Sequence, residues 1–293
     1  MPINPEQLLN RVFEPQHHHY TRSDTILYAL SCGLGSEPTH GGQLRYVYEN
    51  ADGGLQVLPT MANILGYAGF WADQPDTGID WRRLVHAEQK ITLTRPLDVE
   101  GEVIGQNRVV GLHDKGEQKG ALMLQERRIV NASTGDLLAT VIQTTFLRGD
   151  GGFGDRYCVS HGVLPDRAHA IPERAADWVS DINVPKQMAL LYRLNGDRNP
   201  LHADPAVASA AGFARPILHG LATQGIAMHA ALQTVLDYDA ADVRGMRVRF
   251  TAPVLPGDTL RTEMWRDADV LSLRCSAVER KVTVLNNGRI DLS

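Results

Sequence analysis

Residues 192–205 read YRLNGDRNPLHADP, which predicts a turn between two helical segments. Asn199 and Pro200 are residue types that tolerate or impose the backbone angles of a turn. Asp204 and Pro205 suit the N-cap and the first position of a helix, so a short helix is expected directly afterwards. The side chains between these points are therefore expected to lie on a rigid loop, a common location for functional groups.

Two ionisable side chains, Asp197 and His202, lie five residues apart on this loop. A carboxylate can orient a water molecule or accept its proton, and an imidazole with a reference pKa of about 6.5 exchanges protons near neutral pH. Asn199 can fix a neighbouring side chain or a water by hydrogen bonding. Singly, the first two could be a turn acid and a structural histidine, and Asn199 could be only a turn former. Their combination favours proton transfer.

A long apolar helix is predicted to begin near Gly220, directly after His219. Small or apolar residues recur along it at steps of three and four, at Leu221, Gly225, Met228, Leu232, Val235 and Leu236. Because Gly220 has no Cβ, an oxygen atom could approach its N–H, and the helix N-terminus would stabilise negative charge there. A tight helix entry is the alternative role for Gly220. An acid, a base and an oxyanion site together suit the addition of water to an α,β-unsaturated carbonyl compound.

Length and composition limit the classes of protein that are possible. The 293 residues suggest about two domains. The net charge of −5, without a basic stripe, argues against nucleic acid or an anionic membrane as partners. No apolar run reaches the ~18 residues of a membrane span, and the N-terminus lacks the features of a signal peptide. Three scattered cysteines favour a reduced, cytoplasmic compartment, and His17–His19 are expected on a solvated loop rather than in a metal site.

A glycine cluster at Arg148–Asp155 divides the chain and is interpreted as a flexible connector. It suggests domains at residues 1–150 and 151–293. The halves also resemble each other, because Ile91–Pro96 can be set beside Val248–Pro253 and each is soon followed by a Gly-acid pair. Such ordered matches on either side of a linker favour a duplicated domain.

Each half has a short helical stretch, a longer helix and then several strands, which predicts an α+β fold with an antiparallel sheet. In the first half the longer helix is expected at about Thr60–Trp71. Strands are expected in the first half around Glu88–Thr94, Val99–Gly111, Leu122–Ala132 and Leu138–Leu147. In the second half they are expected at Arg247–Thr251, Thr259–Trp265, Val270–Glu279 and Lys281–Leu285.

The Gly196–His202 motif, followed by His219 and Gly220, resembles the MaoC-like, or R-specific, 2-enoyl-CoA hydratases (hydratase 2). Tyr20–Leu30 and Arg249–Trp265 extend the resemblance to both halves. The resemblance implies a double hot-dog fold, in which each repeat has a curved antiparallel sheet wrapped around a central helix.

What the resemblance implies about activity is the reversible addition of water to trans-2-enoyl-CoA, giving (3R)-3-hydroxyacyl-CoA in fatty-acid β-oxidation. Asp197 and His202 would activate the water, Asn199 would support their geometry, and the Gly220 N–H would bind the thioester oxygen. Further contacts with the substrate are expected from His219, Arg198 and Arg249, although surface ion pairing is an alternative for the arginines. No metal or redox cofactor is implied, and coenzyme A is part of the substrate.

The first half departs from the motif, because Cys32–Pro38 offers no matched acid and histidine. One active site per chain is therefore expected, in the C-terminal repeat, while the N-terminal repeat would accommodate the acyl group. Small residues in that repeat would allow such room or suit close packing: Ala62, Gly66, Ala68 and Gly69. The alternatives are a hot-dog dehydratase or thioesterase acting on another acyl thioester, and a catalytically silent acyl-CoA-binding subunit. A homodimer is also expected.

Overall fold

The computed structural model describes residues 3–154, 157–159 and 167–293. The first half contributes strands β1 Gln16–Tyr20, β2 Leu84–Leu93, β3 Gly101–Asp114, β4 Ala121–Asn131, β5 Leu137–Leu147 and β6 Tyr157–Val159. The second half contributes β7 Trp178–Asn183, β8 Val243–Phe250, β9 Thr259–Asp267, β10 Val270–Ala277 and β11 Val282–Leu292. The predicted strands are thus confirmed, and the edge strands β1 and β7 are additions that the sequence pattern did not indicate.

All of these strands join one antiparallel sheet with an internal repeat. Its order is β1-β3-β4-β5-β2-β8-β11-β10-β9-β7, and β6 pairs with β3. Outward from the centre, each half therefore runs through equivalent strands in the same order. The halves meet where β2 pairs with β8, with Glu88 opposite Arg249 and Thr92 opposite Gly245. This arrangement confirms the predicted α+β double hot-dog.

The helices are α1 Pro5–Leu9, α2 Arg22–Leu30, α3 Gly41–Val47, α4 Met188–Tyr192, α5 Pro205–Ala210 and α6 Gly220–Thr234. Short 3-10 turns lie at Pro59–Asn63, Pro75–Thr77, Trp81–Arg83, Arg193–Asn195 and Pro200–His202. The predicted N-cap is confirmed, since the Asp204 side chain accepts hydrogen bonds from the first turn of α5. Among the described residues, no helix is long and apolar enough to cross a membrane.

Helix α6 is the centre of the core. Every residue from Ala222 to Leu232 is buried, so the helix has no solvent-facing polar side. A helix that is apolar around its circumference is stable only when other elements surround it. Here the second-half sheet, the turn at Pro59–Asn63 and strand β7 pack around it.

The predicted first-half helix over Thr60–Trp71 is wrong. Only the 3-10 turn Pro59–Asn63 forms, and Gly66 then adopts a positive φ of 62°. The Gly66 backbone packs directly against Gly105 of β3, where neither residue could carry a Cβ without collision. This backbone-to-backbone contact turns the chain away from a helical path, and it shows close packing at one of the predicted small residues.

Two loop predictions also need correction. His17–His19 lie in strand β1, where the half-buried His18 accepts a hydrogen bond from the Gly66 N–H at its Nδ1 (3.1 Å). In the glycine cluster, the Asp114 carboxylate accepts hydrogen bonds from the N–H groups of Gly152 (2.8 Å) and Gly154 (2.7 Å). The described part of the cluster is therefore held against the end of β3 instead of being a free connector, and Asp155 lies outside the described residues.

Close packing at Gly225 of α6 leads to a first prediction. A Cβ at this position would overlap the Cys32 side chain, so Gly225→Ala should destabilise the fold by about 1–3 kcal/mol despite the better helix propensity of alanine. Urea unfolding would measure the loss. Cys32→Ala in the same chain should recover part of it. Gly41→Ala, at a position with no atoms within 4 Å, is the control. Equal stability of all variants would contradict the proposed contact.

Candidate active site

The loop after α4 fixes Asp197 through local hydrogen bonds. Gly196 has a φ of 114°, which turns the chain, and the Asn199 N–H donates to Oδ1 of Asp197 (3.2 Å). The Asn199 side chain in turn accepts from the Leu201 N–H (3.0 Å). Asn199 therefore belongs to the turn that holds the Asp197 carboxylate, and its supporting role in catalysis stays a prediction.

His202 is buried and its ring orientation is defined. Its Nδ1 lies 2.9 Å from the carbonyl oxygen of Ile217. Because a carbonyl can only accept, Nδ1 must carry the hydrogen, which leaves the lone pair of the neutral ring on Nε2. Burial lowers the pKa of His202 below 6.5, although the nearby Asp197 charge opposes the shift. The residue is therefore a neutral proton acceptor near pH 7.

His219 joins these two residues. Its Nε2 donates to the backbone carbonyl of Asp197 (3.2 Å), and its ring stacks on His202 with centroids 3.7 Å apart. Burial, followed by the proximity of His202, lowers the pKa of His219 to about 4, so this ring is also neutral. Polar side-chain atoms of Asp197, His202 and His219 lie within 4.8 Å of one another. The structure thus brings three predicted site residues together.

Such a cluster has the residue types of a metal site, but the stacking of its two rings does not suit a tetrahedral zinc ion. The two imidazole planes are inclined by only 27° and stacked. Nitrogen lone pairs lie in the ring plane, so stacked rings do not direct them to one point about 2 Å from each nitrogen, as zinc would require.

Gly220 is the first residue of α6, so its N–H has no partner within the helix. It is only half-buried, and the ring of Phe250 lies 3.2–3.5 Å from where a Cβ would be. Phe250 in turn packs edge-on against His86 (4.7 Å). The Phe250 ring therefore lies where a side chain at position 220 would point, and the oxyanion role of the Gly220 N–H stays a prediction.

The two predicted arginines are not in this cluster. Arg198 is exposed on the loop. Arg249 is ion-paired with Glu88 across the β2–β8 pair, with its Nε 2.8 Å from the carboxylate. Because neighbouring side chains alternate between sheet faces, Arg249 points away from the face on which Phe250 packs beside Gly220. Their contacts with substrate remain predictions.

Residues from the first half complete the surroundings, and sequence reasoning missed them. His86 precedes a β-bulge in β2, and burial lowers its pKa to about 4. Burial, then the negative charge of Asp197, raises the pKa of Tyr67 to about 12, which places this phenol within electrostatic reach of the carboxylate. Both lie more than a hundred residues from Asp197 in sequence. His86 reaches the site through the pairing of β2 with β8, and Tyr67 reaches it from the loop after the turn Pro59–Asn63.

Comparisons with known proteins agree with this architecture. The family described as MaoC like domain matches residues 167–287, and the MFE-2 hydratase 2 N-terminal domain matches residues 18–149. Enoyl-CoA hydratase ChsH3 of Mycobacterium tuberculosis is 38% identical, with 98% of each chain covered. The peroxisomal enoyl-CoA hydratase 2 of Arabidopsis thaliana is 36% identical, covering 99% of this chain and 96% of the relative. The crystal structure of a MaoC-like dehydratase from Phytophthora capsici has a TM-score of 0.85, at 28% identity and 99% coverage of both chains.

The repeated sheet defines a double hot-dog protein. Among the described residues, one loop brings an aspartate and histidines together beside the start of α6. The chain belongs to the MaoC-like hydratase 2 family, whose two characteristic domains it carries in order.

The geometry predicts how His202 titrates. Its pKa should lie below 6.5, so the neutral ring predominates at pH 7 and is lost only as the pH falls through the lowered value. Because the Asp197 charge raises this pKa, Asp197→Asn should lower it further. NMR titration of labelled histidines would measure both values, and nitrogen shifts would report the Nδ1–H tautomer. An unchanged or higher pKa in the variant would refute the assigned proximity.

Proposed function

We propose that this protein is a (3R)-specific 2-enoyl-CoA hydratase, which also catalyses the reverse dehydration of 3-hydroxyacyl-CoA. The observation that carries the proposal is the placement of Asp197 and a neutral His202 beside the N-terminus of α6. Names of full-length relatives, enoyl-CoA hydratase among them, support the same reaction. The stereochemistry and a role in fatty-acid β-oxidation rest on family membership.

In the proposed mechanism, the carboxylate of Asp197 and Nε2 of His202 hold one water molecule. One of them accepts a proton as the water oxygen bonds to Cβ of the enoyl thioester. The thioester oxygen gains negative charge, which the Gly220 N–H and the helix N-terminus stabilise. A proton then adds to Cα, which completes hydration without net oxidation or reduction. We assign no proton individually to Asp197 or His202.

No metal or redox cofactor is included in this proposal, because proton transfer and oxyanion stabilisation account for the reaction. The N-terminal repeat, residues 1–150, is proposed to accommodate the acyl group, and residues 151–293 to carry catalysis. The truncated helix at Pro59–Asn63 supports this division, since a full helix would occupy more of the first-half interior.

A cytoplasmic location and a homodimer are also proposed. The buried, unpaired thiols of Cys32 and Cys275 support a reducing compartment. Leu190 and Leu194, each about half exposed (52% and 51%), are apolar side chains that a second copy of the chain could cover.

The reaction itself distinguishes the proposal from a thioesterase. With trans-2-enoyl-CoA, hydration should remove the enoyl-thioester absorbance without releasing free thiol, and chiral analysis should identify the 3R product. Asp197→Asn and His202→Gln should each lower turnover by about 10²–10⁴-fold with the fold intact. His169→Gln, a histidine bonded to Ser272 outside the cluster, is the matched control. Thiol release, or near-normal hydration in both site variants, would overturn the assignment.

Gly220→Ala tests the oxyanion site separately. The added methyl group would meet the Phe250 ring at 3.2–3.5 Å and crowd the approach to the N–H. We expect kcat to fall by about 10–10³-fold, in the range seen when an oxyanion donor is impaired. Circular dichroism and unfolding curves would verify the fold. A normal kcat would remove Gly220 from this role.

A further inference from the structure

The interior of the first half contains a buried positive charge without an acidic partner. Arg127 of β4 is only 6% exposed. Its Nη2 donates to the carbonyl oxygens of Asn63 (2.5 Å) and Ala62 (3.4 Å), while its Nε has no partner. Among the residues that the structure describes, no carboxylate forms an ion pair with it. The Tyr67 ring lies 5.5 Å from the Arg127 Cζ, a cation–π contact that does not neutralise the charge. A buried charge is costly unless it is paired, so this guanidinium favours an anionic partner.

A second buried donor, on Gln224, is linked to Arg127 through Asn63. His86 Nε2 contacts Gln89 Oε1 (2.9 Å), Gln89 Nε2 donates to Asn63 Oδ1 (2.8 Å), and Asn63 Nδ2 donates to Gln224 Oε1 (3.0 Å). Gln224 is completely buried, and its own Nε2 has no partner. This chain of hydrogen bonds from His86 to Gln224 therefore ends on the unsatisfied Nε2 amide group of Gln224. That group lies on the other side of Asn63 from Arg127.

These donors are connected to the site already described. Gln224 lies four residues after Gly220, so both are on one face of α6, about 6 Å apart along its axis. Asn63 bridges to Arg127, because its side chain contacts Gln224 and its carbonyl accepts from the guanidinium. The charges of Arg127 and Asp197 also both act on the Tyr67 hydroxyl. An acyl group whose thioester oxygen is at Gly220 could extend along this face toward Arg127.

We propose that Arg127 and Gln224 bind a carboxylate at the far end of the acyl group, so that the preferred substrates are ω-carboxy 2-enoyl-CoA thioesters. This inference rests on the proposed hydratase function. Arg127 Nε and Gln224 Nε2 are donors without partners, and no described carboxylate pairs with the guanidinium. An anionic end group would satisfy these donors, whereas a terminal methyl group would not. Burial lowers the pKa of Arg127 to about 10, so it remains cationic at neutral pH.

Two alternative roles for the polar groups in this interior predict different results. In the first alternative, the Arg127 guanidinium serves solely to hydrogen-bond the carbonyls of the short turn Pro59–Asn63. It would then stabilise the fold without affecting substrate specificity. Asn107, opposite Arg127 in the β3–β4 register, has an unpartnered Oδ1 that a hydroxyl group could satisfy. A terminal hydroxyl is therefore included as a competing end group.

The test compares trans-2-enoyl-CoAs of about 5–10 carbons that end in methyl, hydroxyl or carboxylate. At one or more lengths, kcat/KM for the carboxylate should exceed that for methyl by at least about 10-fold. Arg127→Met should lower kcat/KM for the carboxylate substrate by about 10–100-fold, chiefly through KM, and change the methyl substrate by less than about 3-fold. Arg108→Met, which breaks the Arg108–Glu126 pair instead, is the matched control.

A preference for methyl or hydroxyl at every length would overturn the inference, as would equal losses on both substrates in Arg127→Met. If that variant does not fold, Arg127→Lys and Gln224→Leu replace it, with the carboxylate-to-methyl ratio as the readout. Calorimetric binding of saturated ω-carboxyacyl-CoA against the methyl-ended analogue measures recognition without turnover. Tighter carboxylate binding without hydration would refute the function alone, while hydration without carboxylate preference would refute the specificity alone.

Discussion

The pairing of β2 with β8 is the constraint on which the rest of the structure depends. It joins two repeats into one continuous sheet. In its register, Gln89 lies opposite Val248 and Ile91 lies opposite Met246. Antiparallel register is strict, because a shift by one residue would reverse every side chain between the two faces. With this register, His86 of the first repeat packs on Phe250 of the second, beside the N-terminus of α6. The candidate site is therefore built by both repeats.

The repeats have diverged where their central helices would be. In the second, α6 is long and buried around its circumference. In the first, the contact of Gly66 with Gly105 replaces helical turns with a path along β3. Helix turns satisfy their own backbone groups, and their loss leaves carbonyls that need donors. Arg127 donates to two of these carbonyls, which adds a charged group to an interior that also contains buried polar side chains such as Gln89 and Asn107.

The loop that carries Asp197 and His202 is positioned by both local and long-range interactions. Asp197 is placed by neighbours in sequence, through Gly196 and the Asn199 N–H. His202 requires the more distant Ile217 carbonyl, and its stacking on His219 depends on where α6 begins. The chemistry of the loop thus depends on packing that lies several residues away.

The sequence by itself determined the inner strands of the sheet, the long helix at Gly220, the turn that carries Asp197 and His202, and the repeat. Each of these arises from local backbone preference or regular spacing. Only the tertiary structure decided the conformation of residues 60–71. The Gly66–Gly105 contact is incompatible with the helix that local propensity favours there. The tertiary structure also separated Arg249 from the site, because strand register set its side chain on the opposite face with Glu88. His86 and Arg127 became relevant for the same reason: their neighbours come from pairing and packing across long sequence distances, which local pattern does not encode.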